Sequence, residues 1–319
     1  MGKVNKNRNS NREREVYKVN NWSSYNKSLV NRGDISIWLS EDVKKGWYHQ
    51  GVQLPGGELR YSDSCIEFCL TIRSLFGLTY RATEGFVRGL FKLSKVELEV
   101  PSYSQMQRRS KKLEVNIRVS KRKKGPIDLV MDSTGLKVYG EGEWKVRKHG
   151  WGQRRTWRLM HMGSDGSDLE IVCVSLTGNN TSDSKAGIDL MEKLSCPIKS
   201  AAADGAYDTK DFRGCLDPDV EQLIPPRRDG VDSRGKIPEY DQRDESVKRI
   251  KEIGRKEWKK EIGYHIRSLS EVNMYRYKKA FGEKMTARTP QCEQTEVKIK
   301  CKILNRFVEL GMPKSYKVG

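Results

Sequence analysis

No apolar run in the 319-residue sequence approaches the roughly 20 residues that cross a bilayer, which argues against a membrane-spanning helix. The first residues, Met1 to Lys18, are basic but hold no apolar core and no small-residue cleavage site, so a secretory signal is not expected and a cytoplasmic chain is. Histidine is scarce, at four, and the seven cysteines include no C-x-x-C pair, so a zinc centre finds no support. Scattered cysteines in odd number fit no disulfide framework, and reduced thiols are expected. Cys65 and Cys69, one helical turn apart, read as small core residues. Acidic residues are outnumbered, 42 against 61 Lys and Arg, for a formal net charge of +19. That excess favours a polyanionic partner, because each phosphate neutralised by a cation releases condensed counterions. An anionic membrane surface is the weaker candidate, since no long lysine-rich amphipathic helix with a bulky apolar face stands out.

What is present divides into three parts. Residues 1–20 are polar, rich in Asn, Arg and Lys, and read as a disordered basic arm. Residues 21–125 read as mostly helical. Ser64 to Phe76 is apolar at helical spacing and ends at Gly77, and Thr79 opens a second helix. After Pro101, Ser102 or Ser104 caps a short helix carrying Gln105, Gln107, Arg108, Arg109, Lys111 and Lys112. Gln105, Arg108 and Arg109 have the chemistry that reads purine edges in a major groove, and equally that of a solvated basic helix. Lys121 to Lys124, with Gly125 and Pro126, reads as the linker that ends this region.

From 126 to 319 the periodicity changes. Ile127 to Met131 is an apolar strand ending at Asp132, which Gly135 to Tyr139 continues or returns, and Thr156 to Met162 alternates as a second. Gly163 to Asp168 is dense in turn residues, and Leu169 to Leu176 is a third strand. A helix capped at Thr181, Ser182 or Asp183 runs to about Leu194. Ile198 to Ala203 is a strand ending at Asp204, Glu221 to Ile224 is another, and Asp241 to Phe281 reads helical throughout. Strands alternating with helices imply an α/β fold with parallel strands and crossover helices.

The carboxylates carry the chemistry. Ligands of an open α/β sheet gather at the carboxyl ends of its strands, so Asp132 and Asp204 converge if their strands are neighbours. Small residues follow each, Ser133-Thr134-Gly135 and Gly205-Ala206, leaving room for a phosphate or another backbone. Tyr264, Arg267, Glu271 and Lys278 fall within a narrow stripe of one helix face at about 100° per residue. Such a stripe suits a solvated face, but the tyrosine among Arg, Glu and Lys also suits metals and phosphates. Glu271 would complete a set of hard oxygen ligands for Mg²⁺ or Mn²⁺, with Arg267 and Lys278 on phosphates. Three carboxylates can hold two such ions about 4 Å apart across an in-line displacement.

These residues also carry a resemblance. Leu129 to Val138 and Gly140 to His149 resemble the first-aspartate region of insertion-sequence DDE transposases. Ala203 to Thr209 is similar to the second-aspartate motif, and Leu223 to Arg227 to the strand after it. Tyr264, Arg267, Glu271 and Lys278 match the Tyr-Arg-Glu-Lys signature at its full spacing. The likeness extends from Tyr17 to Tyr25 and Asn31 to Asp34 as far as Gly311 to Pro313, nearly the whole chain, and points to bacterial elements of the IS-five type. It implies a ribonuclease-H-like catalytic core behind an N-terminal, mostly helical DNA-binding region. It further implies binding to terminal inverted repeats, cleavage there with two divalent ions, joining of 3′-OH ends to target DNA, and a homodimer or higher oligomer on DNA at the nucleoid.

Two other readings remain beside it: a nuclease of the same core that cuts without joining, and a non-catalytic repressor derived from such an enzyme. His49, His149, His161 and His265 show no ligand spacing with the carboxylates, and His161 reads as a strand residue. Trp144, Trp151 and Trp157 lie among cations and read as packing residues before base-stacking ones. Asp128, Asp165 and Asp168 read as turn formers, Asp183 as a helix cap, and Asp208 as a neighbour of the site without a ligand role. The Lys- and Arg-rich segment 229–262 fits no motif.

Overall fold

A computed structural model describes residues 16–51, 59–117, 125–138 and 157–318. The chain enters through β1 (Val16–Val19), which pairs antiparallel with the last strand, β7 (Ser315–Val318). Residues 16–19 of the expected arm are therefore sheet, and residues 1–15 lie outside the described part. Helices α1 (Trp22–Asn31), α2 (Ile35–Trp38), α3 (Glu41–Lys45), α4 (Asp63–Leu75), α5 (Tyr80–Leu93) and α6 (Tyr103–Ser110) follow. Ser62, Thr79 and Ser102 start the last three, each side chain accepting an N–H from the first turn. Each such cap contributes about 1 kcal/mol.

Buried Trp47 centres the N-terminal core, its ring 5.6 Å from Phe68 and 5.2 Å from Phe91. That core is closed by residues from the far end of the chain. Ile299 and Ile303 belong to it, brought by the long helix α12 (Pro290–Leu310). Residues from both sides of position 125 thus share this cluster.

The second part is a five-stranded mixed sheet of order β4-β3-β2-β5-β6. It comprises β2 (Ile127–Lys137), β3 (Trp157–Asp165), β4 (Ile171–Gly178), β5 (Ile198–Ala202) and β6 (Glu221–Leu223). β2, β3 and β4 are antiparallel; β2, β5 and β6 are parallel. A short connection explains the antiparallel pairing of β3 with β4: Asp165 and Asp168 accept from the N–H groups of Ser167 and Glu170, closing a tight turn. The helical crossover α7 (Asp183–Met191), capped by Ser182, explains the switch to parallel pairing. β3 continues through Gly163, where the turn was expected to begin. A Cβ there would lie 2.5 Å from Cys173 Sγ, so this glycine serves close packing between strands rather than a turn.

Both faces of the sheet are covered, which is why Ile127 to Met131 is almost continuously apolar. Leu129, Met131, Ala201 and Phe212 pack beneath α7 and α8 (Lys210–Gly214). Leu136, Met160, Met162 and Met274 pack on the other side, with α11 (Ser268–Phe281) and α12. Segment 229–262 holds α9 (Asp241–Ile253) and α10 (Arg255–Glu261). The helix expected to run unbroken from 241 to 281 is interrupted twice, at Gly254 (φ 81°) and Gly263 (φ 65°), both left-handed.

One buried charge pair ties α12 to the segment before it. Glu296 accepts from Thr286 N (3.1 Å), Thr286 Oγ1 (2.8 Å), Ala287 N (2.7 Å) and Lys300 Nζ (2.6 Å). Burial alone would push this carboxyl up, but Lys300 and the Thr286 donors outweigh it and hold it below its ordinary value of 4.5. Its stabilisation is therefore present above that value and fades as pH falls through the lowered one. Glu296→Gln, which strands the Lys300 charge, is expected to cost about 3–5 kcal/mol at neutral pH. The deficit in denaturant titrations should shrink in acid; a deficit independent of pH would contradict this account.

Candidate active site

Parallel pairing of β2 with β5 sets the site. Val130 stands opposite Ala202, so two residues further on each chain Asp132 and Asp204 come to the same level. Of the two courses open to the chain past Asp132, continuation or return, β2 takes the first and runs to Lys137, with Asp132 opposite Met162 of β3. Its Oδ1 accepts the N–H of Ser133 at 2.9 Å. Asp204 lies just past β5, where its Oδ1 accepts the N–H of Ala206 at 2.8 Å and caps the 3₁₀ turn Gly205–Tyr207.

The third element crosses above these two strands. From left-handed Gly263 the chain makes a 3₁₀ turn, Tyr264–Arg267, and passes into α11. Ile266 packs on Val130 and Ala202, which fixes the turn over the β2–β5 junction. Arg267 then reaches both ways: Nη1 donates to Glu271 Oε1 at 2.6 Å, and Nη2 to Asp132 Oδ2 at 3.3 Å. Ser270 Oγ donates to the same Asp132 oxygen at 3.2 Å. Burial pushes the Asp132 carboxyl up and Asp204 adds to it, against the opposing pull of Ser133, Arg267 and Ser270. The half-buried Tyr264 hydroxyl is pushed up to about 12, by burial first, with Asp204, Asp132 and Glu271 acting in the same sense. Asp132, Asp204, Tyr264, Arg267 and Glu271 therefore share one electrostatic neighbourhood.

Lys278 does not join them. Its Nζ stands 3.8 Å from Glu283, which also holds Lys137 at 3.3 Å. The helical stripe gave its face but not its place, since seven residues of helix carry it about 10 Å along the axis from Glu271. Tyr264, in turn, sits in the 3₁₀ turn and follows a different period.

Among the described residues no three His, Cys, Asp or Glu stand close enough to hold one ion. The carboxylates meet through the Arg267 guanidinium, which occupies the position of a cation between Asp132 and Glu271. The donor chemistry still fits hard divalent ions: three carboxylates, no thiolate or imidazole, and an aspartate whose ionised form is disfavoured until positive charge is added.

Other residues find plainer roles. His161 is fully buried, with Nε2 2.8 Å from Thr177 Oγ1 and Nδ1 3.4 Å from Asp183 Oδ1. It lies opposite Ser133, one residue out of step with Asp132, and so on the other side of the sheet. In α6, Gln105 Oε1 accepts the N–H of Ser102 (2.9 Å), completing a reciprocal cap. Arg109 is committed to Tyr61 O (2.7 Å) and Asp63 Oδ1 (2.5 Å), which leaves Arg108 exposed. Trp157 is half-buried, with Lys137 Nζ 5.9 Å from its ring centroid. Gly140 to His149, Trp144, Trp151, Arg154, Arg155 and Lys121 to Lys124 lie outside the described residues.

Asp208 has more to do than its sequence position suggested. Almost fully buried, its Oδ1 accepts Nε–H groups from Arg213 (2.8 Å) and Arg243 (3.1 Å), and its Oδ2 the N–H of Arg227 (2.8 Å). One carboxylate thus ties the Asp204 loop to α8, to α9 and to the chain after β6. No local signal marks such a contact, because its partners lie up to 35 residues away.

Two family models match the chain, each described as a transposase DDE domain, one over residues 30–141 and the other over residues 123–306. No solved structure matches it.

Asp208→Asn leaves buried Arg213 without a counter-charge among the described residues and Arg243 with Asp244 alone, and is expected to cost about 3–5 kcal/mol of stability, measured by chemical denaturation. A loss below about 1 kcal/mol, the range of an exposed pair, would contradict the anchoring role.

Proposed function

The chain belongs to the transposase DDE-domain family, and from that premise we propose that it is the transposase of an insertion sequence of the IS-five type. In this reading it binds the element's terminal inverted repeats, cuts there, and joins the freed 3′-OH ends to target DNA. The observation that carries it is the bridging of Asp132 and Glu271 by Arg267 at the β2–β5 junction, with Asp204 and Arg267 lining one cavity. We assign the sheet from 126 onward to a ribonuclease-H-like catalytic core and residues 21–125 to a helical DNA-binding region, with Arg108 its exposed cation on α6. A homodimer or higher oligomer on DNA and residence at the bacterial nucleoid belong to the same proposal.

Asp132, Asp204 and Glu271 would hold two Mg²⁺ or Mn²⁺ ions. When bound, such ions activate the attacking oxygen and stabilise the leaving one. Arg267 shifts from its bridge between carboxylates to the non-bridging oxygens of the scissile phosphate, where its planar fork matches two of them. Ser270 and the N–H of Ser133 keep Asp132 oriented, and the Ala206 N–H does the same for Asp204. In cleavage a water oxygen forms the new bond to phosphorus, the P–O3′ bond breaks, and a 3′-OH is left. In joining, that 3′ oxygen attacks a target phosphodiester, whose own 3′ oxygen departs and takes up a proton. The net charge of +19 supports a polyanionic substrate.

Asp132→Asn, Asp204→Asn and Glu271→Gln are each expected to lower Mg²⁺-dependent cleavage of DNA bearing the element's ends by about 10³-fold or more. Binding to that DNA should stay nearly unchanged, since affinity rests on phosphate contacts elsewhere. A variant that cuts at the wild-type rate would remove its residue from the ligand set. Wild-type protein that binds the ends and never cuts would favour a repressor, and cutting without joined products a nuclease.

A further inference from the structure

Beside Asp204 opens a cavity of about 450 Å³, in which this one carboxylate faces five cations: Arg227, Arg228, Arg255, Lys259 and Arg267. Arg267 is engaged with Asp132 and Glu271. The other four make no ion pair among the described residues, although most cations elsewhere in α9 and α10 do, as Arg249 does with Glu252 and Glu261 and Lys260 with Glu257. They are also crowded. The Lys259 ammonium is held below its ordinary value, by burial first and then by the charges of Arg255 and Arg267.

The crowding is held in place by buried contacts. Arg255 Nη1 donates to Pro226 O at 2.7 Å, and Lys259 Nζ lies over the Tyr264 ring, 4.6 Å from its centroid. Trp258, between them in sequence, is buried and roots α10. Asp208 binds Arg243 of α9 and the N–H of Arg227, and Asp244 receives the N–H and hydroxyl of Ser233. Segment 229–262 is therefore fastened to the Asp204 loop, and its unpaired cations are presented in a fixed arrangement. Uncompensated like charges at close range weaken a fold, and a polyanion is the ligand class that relieves them.

We propose that Arg227, Arg228, Arg255 and Lys259 form a phosphate track that holds a single DNA strand as it runs past Asp204. The inference rests on the transposase reading above and assigns to the 227–259 segment the strand next to the reacting phosphate. The cavity has the size of a small-ligand site, roughly 300–1,000 Å³, which suits one backbone rather than a duplex. Its polar lining is cationic and the face of Tyr264 is covered by Lys259, so the track grips phosphates without reading bases.

The test uses the full-length chain, a random-sequence single-stranded oligonucleotide, and EDTA to keep cleavage off. The slope of log K against log salt should fall by about 2 in Arg227→Gln/Arg228→Gln/Lys259→Gln, since each phosphate contact on a single strand contributes about 0.7. These three side chains have no ion-pair partner to strand, so the fold should hold, and Arg228→Lys/Lys259→Arg should restore most of the slope. Neutralising Lys185, Lys193 and Lys199, exposed around α7 on the opposite side of the sheet, should leave it unchanged. An unaltered slope in the first variant, or an equal fall in both triple variants, overturns the track. If the wild type cuts DNA and the slope does not move, only the track is lost; if the slope moves and the wild type never cuts, the transposase reading is the one that fails.

Discussion

Arg267 between Asp132 and Glu271 is the contact on which the site depends. Carboxylates brought toward one another at a sheet junction repel, and without positive charge among them the ionised forms are disfavoured. The guanidinium supplies that charge from within the chain, at 2.6 Å from Glu271 and 3.3 Å from Asp132. It is itself kept charged: burial works against it, but Glu271 and Asp132 outweigh burial and raise its proton affinity. The price is that the carboxylates face an internal cation, so the proposed ions must displace it, and the displaced guanidinium is then at hand for a phosphate.

A second constraint lies behind the first. Asp208, four residues after Asp204, pairs with both Arg213 and Arg243, the latter also meeting Asp244, and it receives the N–H of Arg227. Through it the position of Asp204 is coupled to α9 and to the cationic stretch after β6. The proposed catalytic carboxylates and the proposed phosphate track are consequently parts of one framework, and neither can shift far without disturbing a buried ion pair.

Much of this was legible in the residues. The order of strands and helices along the chain and the cap at Ser182 follow from periodicity and cap chemistry, both of which are local. What escaped was set by distance in the chain. The break of the 241–281 helix required knowing that Gly254 and Gly263 take left-handed conformations, and the choice between continuation and return past Asp132 depends on pairing with β3. Gln105 and Arg109 were legible as polar residues on a basic helix, but not as groups occupied by Ser102, Tyr61 and Asp63. Lys278 shares a helix face with Glu271, but its nearness to Glu283 was not legible along the chain. The closing of the N-terminal core by Ile299 and Ile303 is likewise invisible to any pattern read along 21–125.

The most direct measurement is the binding of Mn²⁺ to the full-length protein, followed by the electron paramagnetic resonance of the free ion. If Arg267 stands in for a divalent cation, wild-type protein binds Mn²⁺ saturably, Asp132→Asn loses most of that binding, and Arg267→Ala binds more tightly because no internal cation competes. Equal Mn²⁺ binding by wild type and Asp132→Asn, or weaker binding by Arg267→Ala, would contradict the account.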